Sequence, residues 1–183
     1  VEYGLIAIIL TLIIISGEID LSIASMIALT AVIFGTAYNA GLGMPISMLI
    51  ALFSGTLCGL FNGILVTQLQ IPSIILTIGT LTLYRGIAQS LASDFSLGGY
   101  PSWFIGIDYR YIGIVPIPVI IFTVFAIVVG FFLSSTIYGK QLYLIGTNPQ
   151  TAKYSGIKVD RIKLLLFTLS GLGPVGNHSI NLY

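Results

Sequence analysis

Between residues 21 and 134 the chain repeats one pattern four times: a long apolar block, then a short stretch rich in Gly, Pro, Asn or Ser. The blocks cover residues 21–38, 44–69, 72–92 and 113–134, and Arg85 is the only charged side chain in all four. Each block is long enough to carry a helix across ~30 Å of hydrocarbon at ~1.5 Å per residue. In lipid the backbone must satisfy its own hydrogen bonds, so this pattern leads to an all-α, polytopic transmembrane bundle. Residues 3–16 are apolar but short, either a tilted remnant or part of a broken span. Residues 164–172 begin one more span, which brings the expectation to about five.

Composition closes the other routes. The 183 residues are 56% hydrophobic and 7% charged, whereas soluble domains are near a quarter charged. The first apolar block lacks the basic leader and small-residue cleavage pattern of a signal peptide, and more apolar blocks follow it. The chain starts at Val1 rather than Met, so an N-terminal piece is expected to be missing. Cys58 and His178 are the single cysteine and histidine, which excludes an intrachain disulfide, a zinc cluster and most His-based catalysis. The net charge of +1, without a basic–aromatic pattern, excludes a nucleic-acid partner. Gly139-Lys140 has no glycine-rich lead and is followed by Gln141, so it is not a phosphate-binding loop. The chain is expected to be no enzyme and to bind no cofactor or metal.

Five of the seven basic residues lie between residues 140 and 163: Lys140, Lys153, Lys158, Arg161 and Lys163. The positive-inside rule makes that loop cytoplasmic. Counting back, residues 93–112, with Asp94, Trp103, Asp108, Tyr109 and Tyr111, face outside, and "SGEIDLS" at residues 16–22 lies toward the cytoplasmic side. Small residues recur every fourth position at Ala51, Gly55, Gly59 and Gly63, and Ala24, Ala28, Ala31 and Gly35 form a second stripe at spacings of three and four. Such stripes let helix backbones approach closely where lipid supplies no hydrophobic drive.

The polar residues inside this frame are few. Gly17, Glu18, Asp20 and Ser22 form a structural motif in which Asp-Leu-Ser precedes a helical run, so Asp20 reads as an N-cap. Glu18 precedes the cap and is expected to pack against protein or sit at the interface, because a mid-bilayer carboxylate is costly. Thr77, Thr80 and Tyr84 share one helix face. With Arg85 they either line a translocation path or, in the alternative, the threonines bond their own backbone and Arg85 reaches to the interface. Asn62, beside the glycine stripe, reads either as a path residue or as a bond between helices.

The basic loop is the most informative stretch. Asn148 stands at an N-cap position, Pro149 at the first helical position and Gly156 just past a short polar run, which predicts a two-turn helix outside the membrane. Thr151, Lys153 and Tyr154 decorate it. A short helix delimited at both ends suits contact with a partner; the alternative is a basic helix resting on anionic lipid headgroups.

Three stretches, "SGEIDLS", "CGLFNGILVTQLQIPSIILTIGTLTLYRGI" and "YGKQLYLIGTNPQTAKYSGIKVDRIK", together resemble the permeases of bacterial sugar ABC importers, of the ribose, rhamnose and autoinducer branch, with rhamnose-type permeases most similar. The resemblance runs from about residue 3 to residue 172. It implies a roughly ten-span permease in the bacterial inner membrane that imports a monosaccharide. Its partners would be a second permease, the same or related, a cytoplasmic ABC ATPase that holds ATP and Mg, a periplasmic sugar-binding protein and membrane lipid. By the same resemblance, residues 148–156 (Asn148, Pro149, Thr151, Ala152, Lys153, Ser155 and Gly156) form the helix that couples to the ATPase, within a cytoplasmic coupling loop at 135–163. The chain would then be one incomplete transmembrane permease domain over residues 1–183.

The pattern departs from the family after Leu172. "GPVGNHSINLY" brings Pro174, Gly176, Asn177 and His178, so residues 173–183 are expected to form an atypical tail, disordered or near the cytoplasmic surface. This chain alone is expected not to transport. A different class, an ion-coupled secondary transporter using Glu18 and Asp20 as a proton or cation site, remains open on the residues alone.

Overall fold

A computed structural model describes residues 2–92, 100, 101, 111, 112 and 115–172. The expectations for Asp94, Trp103, Asp108 and Tyr109, and for the tail with Pro174, Gly176, Asn177 and His178, lie outside the described residues. The elements in chain order are α1 (Glu2–Ile15), α2 (Ile23–Asn39), α3 (Met44–Thr67), α4 (Ser73–Ala92), β1 (Tyr111–Ile112), β2 (Val115–Pro116), α5 (Ile117–Ser135), α6 (Ile137–Thr147), α7 (Pro149–Tyr154) and α8 (Val159–Ser170). The two strands form a small antiparallel ladder, with Tyr111 opposite Pro116 and Ile112 opposite Val115. All other described elements are helical, as the apolar repeat requires.

Three described helices are long and apolar enough to cross a membrane: α3 with 24 residues, α4 with 20 and α5 with 19. The first of the four blocks falls short. Its helix begins at Ile23 rather than residue 21, because Ser22 occupies the cap position, and its 17 residues reach only ~25 Å. The chain breaks where its local chemistry demands. Gly41 and Gly43 take positive φ between α2 and α3, Pro45 stands in the first turn of α3, and Pro118 in that of α5.

The centre of the fold is α2 packed on α3 and α4, with α8 laid along α3. Ile13, Ile23, Met26, Leu29, Val32, Val66, Tyr84, Ala88, Leu142, Leu166 and Phe167 form the main apolar core. Ala51, Gly55, Gly59 and Gly63 are buried; the three glycines receive α8 and the Gly171 that follows it, while Ala51 packs with Phe34 and Met44. A side chain at Gly59 would overlap the carbonyl oxygen of Phe167, one at Gly55 that of Gly171, and one at Gly63 the side chain of Leu164. Close backbone approach through small residues replaces hydrophobic drive here, as it does between helices in lipid.

Two expectations are corrected at this point. The segment expected to begin a span at 164–172 is a helix that starts earlier, at Val159, and fills the small-residue face of α3. The second stripe does not behave as a packing face. Ala24 is exposed, Ala28 and Ala31 are half-buried, and only Gly35 is buried, because the helix turns its Met26, Leu29 and Val32 side inward. By contrast α5 buries none of its residues and presents Ile121, Val124, Ile127, Val128 and Phe131 outward, a surface suited to lipid. At the far end of α2, Tyr100 packs 5.4 Å from Phe34 and 5.3 Å from Tyr38, ring centre to ring centre.

Candidate functional site

The helix read from its caps is present. Asn148 Oδ1 accepts hydrogen bonds from the backbone N–H groups of Gln150 and Thr151, both at 3.0 Å, which satisfies two donors that the first turn of α7 cannot pair internally. At the other end the Ser155 N–H and hydroxyl both donate to Thr151 O at 3.0 Å. Gly156 then turns the chain at φ +80°, a conformation that glycine adopts without strain. Ala152 is buried with Ile145 of α6 and Val159 of α8. Thr151, Lys153, Tyr154 and Ser155 are exposed, Tyr154 by 90%. Lys153 pairs with Asp160 at 3.2 Å on this open surface. The helix is therefore fixed at its base and bare on its outer side.

Sequence reasoning left residues 137–147 as loop, and the structure makes them α6. Thr136 Oγ1 accepts from Gly139 N at 3.1 Å, and Leu142 and Ile145 face inward. The signal was a threonine cap followed by two apolar residues at helical spacing, in a segment interrupted by Gly139 and Gly146.

Residues 16–22 lie at the same end of the bundle as the basic loop. Gly17 takes φ +80° and sits against the Gly146 backbone of α6, where a side chain on Gly146 would overlap Ile15 O. Glu18 packs against protein: its Oε1 accepts from Lys163 Nζ of α8, with both side chains 14% exposed. Asp20 is not the N-cap. That position belongs to Ser22, and Asp20, two residues earlier, accepts at Oδ1 from the Ser22 N–H at 2.8 Å and the Ser22 hydroxyl at 2.6 Å. Its Oδ2 accepts from the Ser170 hydroxyl of α8 at 3.2 Å. Burial pushes the Asp20 carboxyl above its ordinary range, and the bonds from Ser22 and Ser170 oppose that. Both carboxylates are thus engaged by side chains of α8, Glu18 by Lys163 and Asp20 by Ser170.

The polar face of α4, with Asn62 of α3 against it, divides in two. Asn62, Thr77, Thr80 and Tyr84 are buried. Asn62 Nδ2 donates to Ser22 Oγ at 2.8 Å, and the Tyr84 hydroxyl shares its proton between Cys58 O and Asn62 Oδ1, each at 3.0 Å. Thr77 Oγ1 lies 3.4 Å from both Ile19 O and Ile74 O, and Thr80 Oγ1 lies 3.5 Å from Thr77 O. Asn62 and Tyr84 therefore tie α3 to α4 and to Ser22, Thr77 reaches the Ile19 backbone, and Thr80 bonds the backbone of its own helix, so the four do not form one open polar stripe with Arg85. Arg85 is exposed on a neighbouring face, because adjacent residues diverge by ~100° around a helix. It lines a cavity of about 200 Å³ between α2 and α4 with Ala24, Ser25, Ala28 and Gln89. Sequence reasoning missed Ser25 and Gln89 there, although Arg85 and Gln89 stand one turn apart. It also missed Lys163 and Ser170 as partners of the acidic loop.

Residues 1–173 match the family described as the permease component of the branched-chain amino acid transport system. The autoinducer 2 import system permease protein LsrD of Escherichia coli K12 is 36% identical over 177 residues, covering 92% of this chain and 53% of that protein. The proteins of the same name from Shigella flexneri and Escherichia coli O157:H7 show the same identity and coverage. This chain thus spans about half the length of the curated relatives it matches. No solved structure matches it. Apolar helices of spanning length, a lipid-suited α5 and a family match over residues 1–173 agree, and the chain belongs to this family of transport permeases as an integral membrane transport subunit.

Proposed function

We propose that the chain is part of the multi-pass permease of an ATP-driven importer in the bacterial inner membrane, and that its solute is a small polyhydroxylated molecule. The names of its relatives support a solute of the autoinducer 2 kind; ribose and rhamnose are alternatives of the same monosaccharide-like chemistry. The observation that carries the reading is α7: a helix capped by Asn148, closed by Gly156, held at its base by Ala152 and bare elsewhere. Pro149, Thr151, Lys153 and Ser155 complete a compact surface on which a cytoplasmic ATPase docks.

In this reading ATP and Mg belong to the ATPase, and this chain contributes the path and the coupling surface. A second permease subunit, a periplasmic binding protein and membrane lipid complete the assembly. The cavity beside Arg85 is the part of the path that this chain supplies, with Arg85, Gln89 and Ser25 as its polar groups.

Reconstitution of the full-length permease with its ATPase and binding protein in proteoliposomes tests this. Labelled autoinducer 2, ribose and rhamnose are offered in turn. Uptake of one of them that stops when ATP is withheld from the cytoplasmic side is the expected result. Uptake driven by an ion gradient without ATP would replace this function with secondary transport.

A further inference from the structure

We propose that Glu18, Asp20, Asn62 and Tyr84 are positioning residues for transport: they tie the α7–α8 unit to α4, so that a displacement of the docking helix reaches the helix that bears Arg85. The inference rests on the docking role of α7 given above.

The connection begins at the base of α7. Ala152 is packed with Ile145 of α6 and Val159 of α8, so α7 cannot shift without pulling both neighbours. From α6, Gly146 sits against the Ile15 carbonyl and Gly17. From α8, Lys163 holds Glu18 and Ser170 reaches Asp20. The two α8 contacts stand seven residues apart, or two turns along one helix face. Residues 16–22 are thus held by α8 at two heights and by α6 from the side.

From those residues the bonds run inward. Asp20 fixes Ser22, Ser22 Oγ accepts from Asn62 on α3, and Asn62 Oδ1 accepts from the Tyr84 hydroxyl on α4. A parallel route joins the Ile19 backbone to the first turns of α4, through Ile19 N donating to Ser73 Oγ at 3.2 Å and Thr77 Oγ1 lying 3.4 Å from Ile19 O. Asp20, Ser22, Asn62, Thr77 and Tyr84 are all buried. Away from water, separating such groups leaves each without a substitute partner, which costs more than the bond is worth in solution. A network of this kind moves as a unit or switches between discrete arrangements; it does not stretch. Tyr84 is the neighbour of Arg85, so rotation or translation of α4 at Tyr84 alters the cavity between α2 and α4.

The test uses the full-length permease assembled with its ATPase and binding protein in proteoliposomes, with solute uptake and ATP hydrolysis read separately. The variants are Glu18→Lys, Lys163→Glu, the charge-swapped double, and Tyr84→Phe. The expected result is that the ATPase still co-purifies and hydrolyses ATP, while uptake per ATP falls about tenfold in each single charge variant, a typical coupling effect. The double is expected to recover to within about twofold of the parent. Tyr84→Phe, which keeps the ring and removes only the hydroxyl, is expected to lower uptake per ATP in a complex that still assembles, with a modest fall in melting temperature because Asn62 Oδ1 loses its donor.

Unchanged uptake per ATP in both single variants, or no recovery in the double, would overturn the proposal. If the charge variants do not assemble, Glu18→Gln and Tyr84→Phe decide in the same way. Failure of the unmodified permease to retain the ATPase is a separate result, which would overturn the docking role of α7 itself.

Discussion

The Lys163 ammonium on α8 pairs with the Glu18 carboxylate, 145 residues earlier in the chain, and each side chain is only 14% exposed. Either charge alone in that position would be expensive, so the pair fixes where residues 16–22 lie against α8. It also places the acidic loop and the basic loop at one end of the bundle.

Replacing Lys163 with Ala leaves Glu18 as a nearly buried charge without a partner. Its cost to stability is expected to be on the order of 3 kcal/mol, the lower part of the range for a broken buried pair because water has slight access. Thermal unfolding of the full-length permease in detergent measures it. The Glu18→Gln, Lys163→Gln double should lose clearly less. A double as unstable as Lys163→Ala would show that the pair's charges are not the issue.

Glycines of the bundle should divide sharply under substitution. Gly59→Leu must displace the Phe167 carbonyl and separate α3 from α8, whereas a side chain at Gly79 or Gly86 meets nothing within 4 Å. The first change is expected to lower the melting temperature and the yield of the assembled complex. Gly79→Leu is expected to leave both unchanged, since the space beside it in this bundle is open. Equal losses from the two would contradict the α3–α8 contact.

Sidedness follows from the basic residues. In a Cys58→Ala background, a cysteine at Gln150 should label from the cytoplasmic side and one at Leu42, in the exposed turn after α2, from the outside. Both labelling from one side would reverse the topology.

The caps of α7 are expected to matter for coupling rather than for insertion. Gly156 has open space around it, so Gly156→Val meets no clash and is strained only through its φ of +80°, at about 1–2 kcal/mol. The full-length protein should still reach the membrane, with uptake reduced. Asn148→Ala should act in the same direction by about 1 kcal/mol of helix stability. Normal uptake by both variants would separate the caps from function.

What was legible in the sequence was local. Asn148, Pro149 and Gly156 specify α7 through bonds and dihedrals confined to a few neighbours, so its limits could be read directly. The apolar blocks likewise revealed α3, α4 and α5, with ends differing by a few residues. Partner choice was not legible. The glycines of α3 announced a close neighbour but not that α8 would be it, and Lys163 looked like one more charge in a basic loop. Asp20 shows the limit at short range. Its carboxylate does accept a backbone N–H near the start of α2, but Ser22 takes the cap position. Thr77, Thr80 and Tyr84 were rightly placed on one face, yet nothing in their spacing showed that α2 and α3 would cover them while Arg85 stayed open.

The docking of α7 is tested most directly by a photo-reactive amino acid placed at Tyr154, which is 90% exposed, in the full-length permease assembled in membranes. The expected result is a covalent product with the ATPase subunit from position 154 and none from position 42, at the opposite end of the bundle. A product from position 42 but not from 154, or no ATPase product from 154 while the assembly remains intact, would contradict it.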